Sequence, residues 1–62
     1  MKRYRVQFFG YNSRDLRKHD VLANEICATF KSKKSAKEYG EKMLVELYGR
    51  SCSNYVVRVS DY

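Results

Sequence analysis

A chain of 62 residues is one domain's length, and at this size folding buries only about 60% of the unfolded surface, which excludes a deep catalytic cleft. Its composition, 44% hydrophobic and 15% aromatic with six Tyr and three Phe, excludes a disordered polar tail. A net charge of +6 points to an anionic partner, and no apolar run approaches the ~20 residues of a membrane span.

The charge is unevenly placed. Lys2, Arg3, Arg5, Arg14, Arg17, Lys18, Lys31, Lys33 and Lys34 face only Asp15, Asp20 and Glu25 in residues 1–34, so this part carries the whole excess. From Lys37 onward four bases and four acids cancel. Such a division fits a surface aimed at nucleic acid or at an acidic protein; its plainer reading is solubility charge. No apolar run follows Met1-Lys2-Arg3, so no leader is expected and the chain reads as cytoplasmic, or host-cytoplasmic if phage-encoded. Cys27 and Cys52 are too few for a disulfide framework or a zinc site and read as reduced thiols.

Residues 3–9 alternate with period two, which predicts a strand with Tyr4, Val6 and Phe8 on one face and Arg3, Arg5, Gln7 and Phe9 on the other. Gly10 to Ser13 has turn chemistry, and the charged stretch from Arg14 to Asp20, with only Leu16 to bury, reads as a long exposed loop. Val21–Phe30 is ambiguous, since Leu16, Ala23, Ile26 and Phe30 sit near helical spacing while Leu22, Ile26, Ala28 and Phe30 fit a strand; it reads as a second strand because Ile26 to Phe30 is rich in β-branched and aromatic residues. Ser32 is an N-cap, with Ser35 a second candidate. Ala36, Tyr39, Gly40, Met43, Leu44 and Leu47 then recur at helical steps until Gly49 closes the helix. After a turn through residues 50–54, residues 55–60 alternate again as a third strand.

This ββαβ string predicts a single α+β domain over residues 1–62: a three-stranded antiparallel sheet, order 2-1-3, with one amphipathic helix packed on one face. Tyr4, Val6, Phe8, Ile26, Phe30, Val57 and Val59 are expected to face Ala36, Tyr39, Met43 and Leu47. Gly40 is expected to permit close packing of the helix on the sheet.

The open sheet face is then expected to show Arg3, Arg5, Gln7 and Phe9 flanked by Val56 and Arg58. Guanidinium groups beside an exposed ring are what single-stranded nucleic acid requires. The competing reading has Glu25 pair with one arginine while Phe9 and Val56 form a self-association patch, giving a homodimer. A second basic cluster, Lys31, Lys33 and Lys34, lies at the helix start and is expected to hold phosphate, joined by Arg14, Arg17 and Lys18; here too solvated charge is the alternative. His19 stands in the charged loop without a buried carboxylate. Cys27, on an internal strand, and Cys52, in a turn, read as small hydrophobes. No catalytic residue, metal or cofactor is expected.

The junction Ala28-Thr29-Phe30-Lys31-Ser32-Lys33-Lys34-Ser35-Ala36-Lys37-Glu38-Tyr39 resembles the strand-to-helix step of short phage and mobile-element proteins, among them anti-CRISPR inhibitors. That resemblance implies an inhibitor that occupies a surface of a host protein or nucleoprotein complex. The expectation is therefore a small basic non-enzymatic module that binds nucleic acid through its sheet face and loop, or, alternatively, an inhibitor of the anti-CRISPR kind.

Overall fold

The computed structural model describes residues 1–15 and 17–62, so the expected burial of Leu16 lies outside the described residues. All three expected strands form: β1 is Lys2–Gly10, β2 is Val21–Phe30 and β3 is Val56–Asp61. Between β2 and β3 run the helix α1, Lys33–Tyr48, and a short 3-10 segment, Gly49–Asn54, where the sequence predicts a turn. The sheet is antiparallel in the order β2-β1-β3, as expected, with α1 on one face.

Register sets what each face carries. On β1, Tyr4, Val6 and Phe8 pair with Ala28, Ile26 and Asn24 of β2 and with Asp61, Val59 and Val57 of β3. These rows face the helix. The opposite rows place Arg5 between Cys27 and Ser60, and Gln7 between Glu25 and Arg58. A bulge interrupts the β1–β2 ladder, since Phe8 pairs with Asn24 but Phe9 with Leu22; Ala23 is the extra residue, and Leu22 comes to lie beside Phe9.

Helix α1 begins where Ser32, in extended conformation, accepts a hydrogen bond from the Ser35 N–H at 3.2 Å. It ends at Gly49, whose positive φ of 54° with ψ −120° is a backbone conformation that a side chain disfavours, and whose N–H donates to the Val45 carbonyl. Its sheet-facing stripe is Ala36, Gly40, Met43, Leu44 and Tyr48. The expected inward Leu47 is instead 44% exposed. One residue is about 100° of helical rotation, so once Tyr48 sets its ring against Phe8, centroids 6.2 Å apart, Leu47 is turned toward solvent. Tyr39 sits at the margin of the core, its ring 5.4 Å from that of Phe30.

The core proper is Tyr4, Val6, Phe8 and Ala36, with Val6 and Phe8 fully buried. Burial of each of these two side chains contributes about 1.5–3 kcal/mol. Aromatic contacts continue the core at both ends of α1: Tyr4–Phe30–Tyr39 near its start and Phe8–Tyr48–Tyr55 near its end. Between them the helix comes so close to the sheet that a Cβ at Gly40 would lie 2.7 Å from Val57 Cγ1 and 2.8 Å from Val6 Cγ1.

Gly40→Ala gains about 1 kcal/mol of helix propensity but pushes a methyl into two β-branched side chains whose rotamers are stiff. The expected net effect is a destabilisation of about 1–3 kcal/mol in urea unfolding, relieved when Val57→Ala is added. A Gly40→Ala protein more stable than the parent would contradict this account of the packing.

Candidate functional site

Because β1 is the central strand, its outward side chains form the middle of the open face. Arg3 is exposed, Arg5 and Phe9 are half-buried between neighbouring strands, and Arg58 projects from β3. The structure therefore brings Arg3, Arg5, Phe9 and Arg58 onto one surface. The Arg58 guanidinium carbon lies 5.0 Å from the centre of the Phe9 ring. At the other end of β1, Arg3 and Arg5 lie 4.9 and 5.6 Å from the ring of Tyr62. Both distances are in the range of cation–π attraction.

Tyr62 was not among the residues singled out from the sequence. Its signal was there: extending the alternation of Val56, Arg58 and Ser60 by one more step puts Tyr62 on the same face, opposite Arg3. Its N–H donates to the Arg3 carbonyl at 3.3 Å.

Glu25 does pair with an arginine on this face. Its Oε1 lies 3.4 Å from Arg5 Nε and also accepts a hydrogen bond from Gln7 Nε2 at 2.9 Å. The Arg5 contact is an ion pair without hydrogen-bond geometry, and Arg5 Nε is buried with no hydrogen-bond partner among the described residues. At the exposure of this pair, attraction stabilises the fold by well under about 1 kcal/mol. Its larger effect is to neutralise one of the three arginines.

The remaining candidates lie elsewhere. At the hairpin tip, between β1 and β2, the described residues hold one another by local hydrogen bonds. Asn12 Oδ1 accepts from the Arg14 N–H at 2.9 Å, the Asn12 N–H donates to the Lys18 carbonyl at 2.9 Å, and Asp15 pairs with Arg17 at 3.4 Å. The Tyr11 and His19 rings pack 4.7 Å apart. Lys31, Lys33 and Lys34 follow the other end of β2. A strand the length of β2 spans roughly 30 Å, so Arg14, Arg17 and Lys18 cannot join these lysines in one phosphate site. Topology thus overturns that expectation: a hairpin puts its turn and its open end at opposite poles.

Cys27 also departs from expectation. It is exposed on the outer face of β2, an edge strand, whereas Cys52 is half-buried in the 3-10 segment.

A third feature combines residues that sequence patterning left apart. Lys33, Lys34 and Lys37 of α1 border a groove of ≈ 420 Å³ whose floor is Val57 and Val59 of β3. Lys37 reads from the sequence as one more solvated helix residue; only the packing of α1 beside β3 gives it this position.

No known protein family, curated protein or solved structure matches this chain. No helix among the described residues is long and apolar enough to cross a membrane.

One phenol is perturbed. Tyr48 stacks on Tyr55 with centroids 3.8 Å apart, and burial, reinforced by the neighbouring Tyr55 phenol, raises its pKa above the usual 10.0. Above that pH the unfolded chain ionises this tyrosine more readily than the folded one, so its contribution to stability is intact below pH 10.0 and declines as pH rises through the folded value. Denaturant unfolding across this range is expected to show a shallower alkaline loss for Tyr48→Phe than for the parent; equal slopes would mean the ring pair does not couple to folding.

Proposed function

We propose that this chain is a small non-enzymatic binding module that takes single-stranded nucleic acid on its open sheet face. The observation that carries the reading is the pair of arginine–ring cation–π contacts, Arg58 over Phe9 and Arg3 with Arg5 over Tyr62, set at the two ends of the exposed row of β1. A guanidinium lying over a ring keeps its in-plane N–H donors free for phosphate, and its outer plane offers a base a surface to stack on. Phe9 and Arg3 are six residues apart on β1, roughly 20 Å, so a strand crossing the face meets both contacts. Duplex fits less well, because bases already stacked on one another leave no plane for the rings.

Arg14, Arg17 and Lys18 at the hairpin tip and Lys31, Lys33 and Lys34 at the helix start contribute attraction at a distance rather than contacts on this face. Glu25 weakens the site by holding Arg5.

The test is anisotropy of labelled single-stranded and duplex oligonucleotides at about 50 and 200 mM salt. With three phosphate contacts, single-strand affinity is expected to fall roughly tenfold to twentyfold over that range. Arg3→Ala, Arg5→Ala and Arg58→Ala together should remove most of the affinity and flatten the salt dependence. Glu25→Gln, which keeps an acceptor for Gln7 but discards the charge, should tighten binding several-fold. Binding that survives the triple change at low salt would sink the proposal. Absence of binding to either oligonucleotide would assign the face to a protein partner, as in the inhibitor reading.

A further inference from the structure

We propose that the groove between α1 and the free edge of β3 is a docking site for an extended acidic peptide of a partner protein, which adds to β3 as a fourth strand. This site lies on the helix side of the sheet and is independent of the nucleic-acid reading of the open face.

Three observations converge on that occupant. First, among the described residues β3 pairs only with β1, so its outer edge is unpaired within the sheet. The Tyr62 N–H donates to Arg3 of β1, and amides alternate along a strand; those of Arg58 and Ser60 therefore face β1, while those of Val57, Val59 and Asp61 face the open edge. A peptide backbone has the spacing to pair with this row.

Second, the groove beside that edge has an apolar floor, Val57 and Val59, matching the alternate side chains that an added strand turns toward the helix. Third, its rim is basic. Lys33, Lys34 and Lys37 make no ion pair among the described residues, and the nearby carboxylate of Asp61 is held by Lys2 at 3.2 Å. Carboxylates on long side chains can lay their methylenes on the valines and reach the ammonium groups.

The other free edge lacks this combination, since β2 carries Glu25 as its only charged residue. Nucleic acid fits the groove poorly, because the floor offers valine methyls with no ring or guanidinium plane on which a base could stack.

The experiment uses the full chain and a fluorescein-labelled decapeptide alternating glutamate and valine, at about 50 mM salt where charge attraction is little screened. Saturable binding is expected, with chemical-shift changes at the Val57, Val59 and Asp61 amides. Lys33→Glu, Lys34→Glu and Lys37→Glu together should weaken it at least tenfold; these side chains are solvent-exposed, so folding is expected to survive and circular dichroism checks it. The same peptide with N-methylated backbone should not bind, a control that leaves the protein untouched. Arg3→Ala with Arg5→Ala should leave peptide affinity unchanged, which separates this site from the open face. Equal binding of the N-methylated peptide, indifference to the lysine changes, no binding at all, or displacement of the peptide by an oligothymidylate that itself depends on the three lysines would each overturn the proposal.

Discussion

The approach of Gly40 to Val6 and Val57 is the contact on which the rest of this small molecule depends. With a buried core of Tyr4, Val6, Phe8 and Ala36 among the described residues, the chain does not separate helix from sheet by a thick layer of side chains. It instead lets the helix backbone rest almost directly on two valines. Aromatic rings then fill the wedges left at either end of the helix, where the separation from the sheet must be spanned by longer groups. Of the rings in these clusters, Tyr4 and Phe8 lie in the core itself, and Phe30, Tyr39, Tyr48 and Tyr55 extend it at the two ends of the helix.

That choice spreads its consequences across the sheet. β1 is paired on both sides, and its alternate residues must serve both the core and the open face. Tyr4, Val6 and Phe8 anchor the helix, while Arg3, Arg5, Gln7 and Phe9, one step out of phase, form the middle of the candidate interface. A one-residue slip of register would exchange the two sets, so the hydrophobic effect that holds the helix in place also fixes where the arginines stand. The bulge at Ala23 lets β2 follow β1 past Phe8 and returns an apolar residue, Leu22, to the side of Phe9.

Charge is distributed over three places that do not touch: the open face, the hairpin tip and the rim of the α1–β3 groove. Their sum creates the attraction felt at a distance, but contact chemistry differs among them. Arginines over rings suit planar bases and phosphates; lysines beside valines and an unpaired strand edge suit an extended acidic chain. The tip spends much of its polarity on its own turn, with Asp15 and Asn12 engaged by Arg17, Arg14 and Lys18.

Much of this was legible in the residues themselves. Period-two patterning marked the first and third strands, residue type decided the second, Ser32 and Gly49 bounded the helix, and a short β-β-α-β chain leaves few ways to order a sheet, so the order β2-β1-β3 and the membership of Arg3, Arg5, Phe9 and Arg58 in one face followed from pattern and connection rules. What local pattern could not supply was distance across the fold and competition among neighbours on one helix face. Leu47 and Tyr48 are both apolar enough to face inward, and only the position of Phe8 decides for Tyr48. The basic groups at the hairpin tip and at the helix start are near in sequence yet sit at opposite poles, because an extended strand converts each residue into about 3.3 Å of separation. Conversely Lys37 and Val59 are distant in the chain and adjacent in space. Local chemistry and periodicity are written residue by residue, whereas the faces of a site are made by packing, which depends on every element at once.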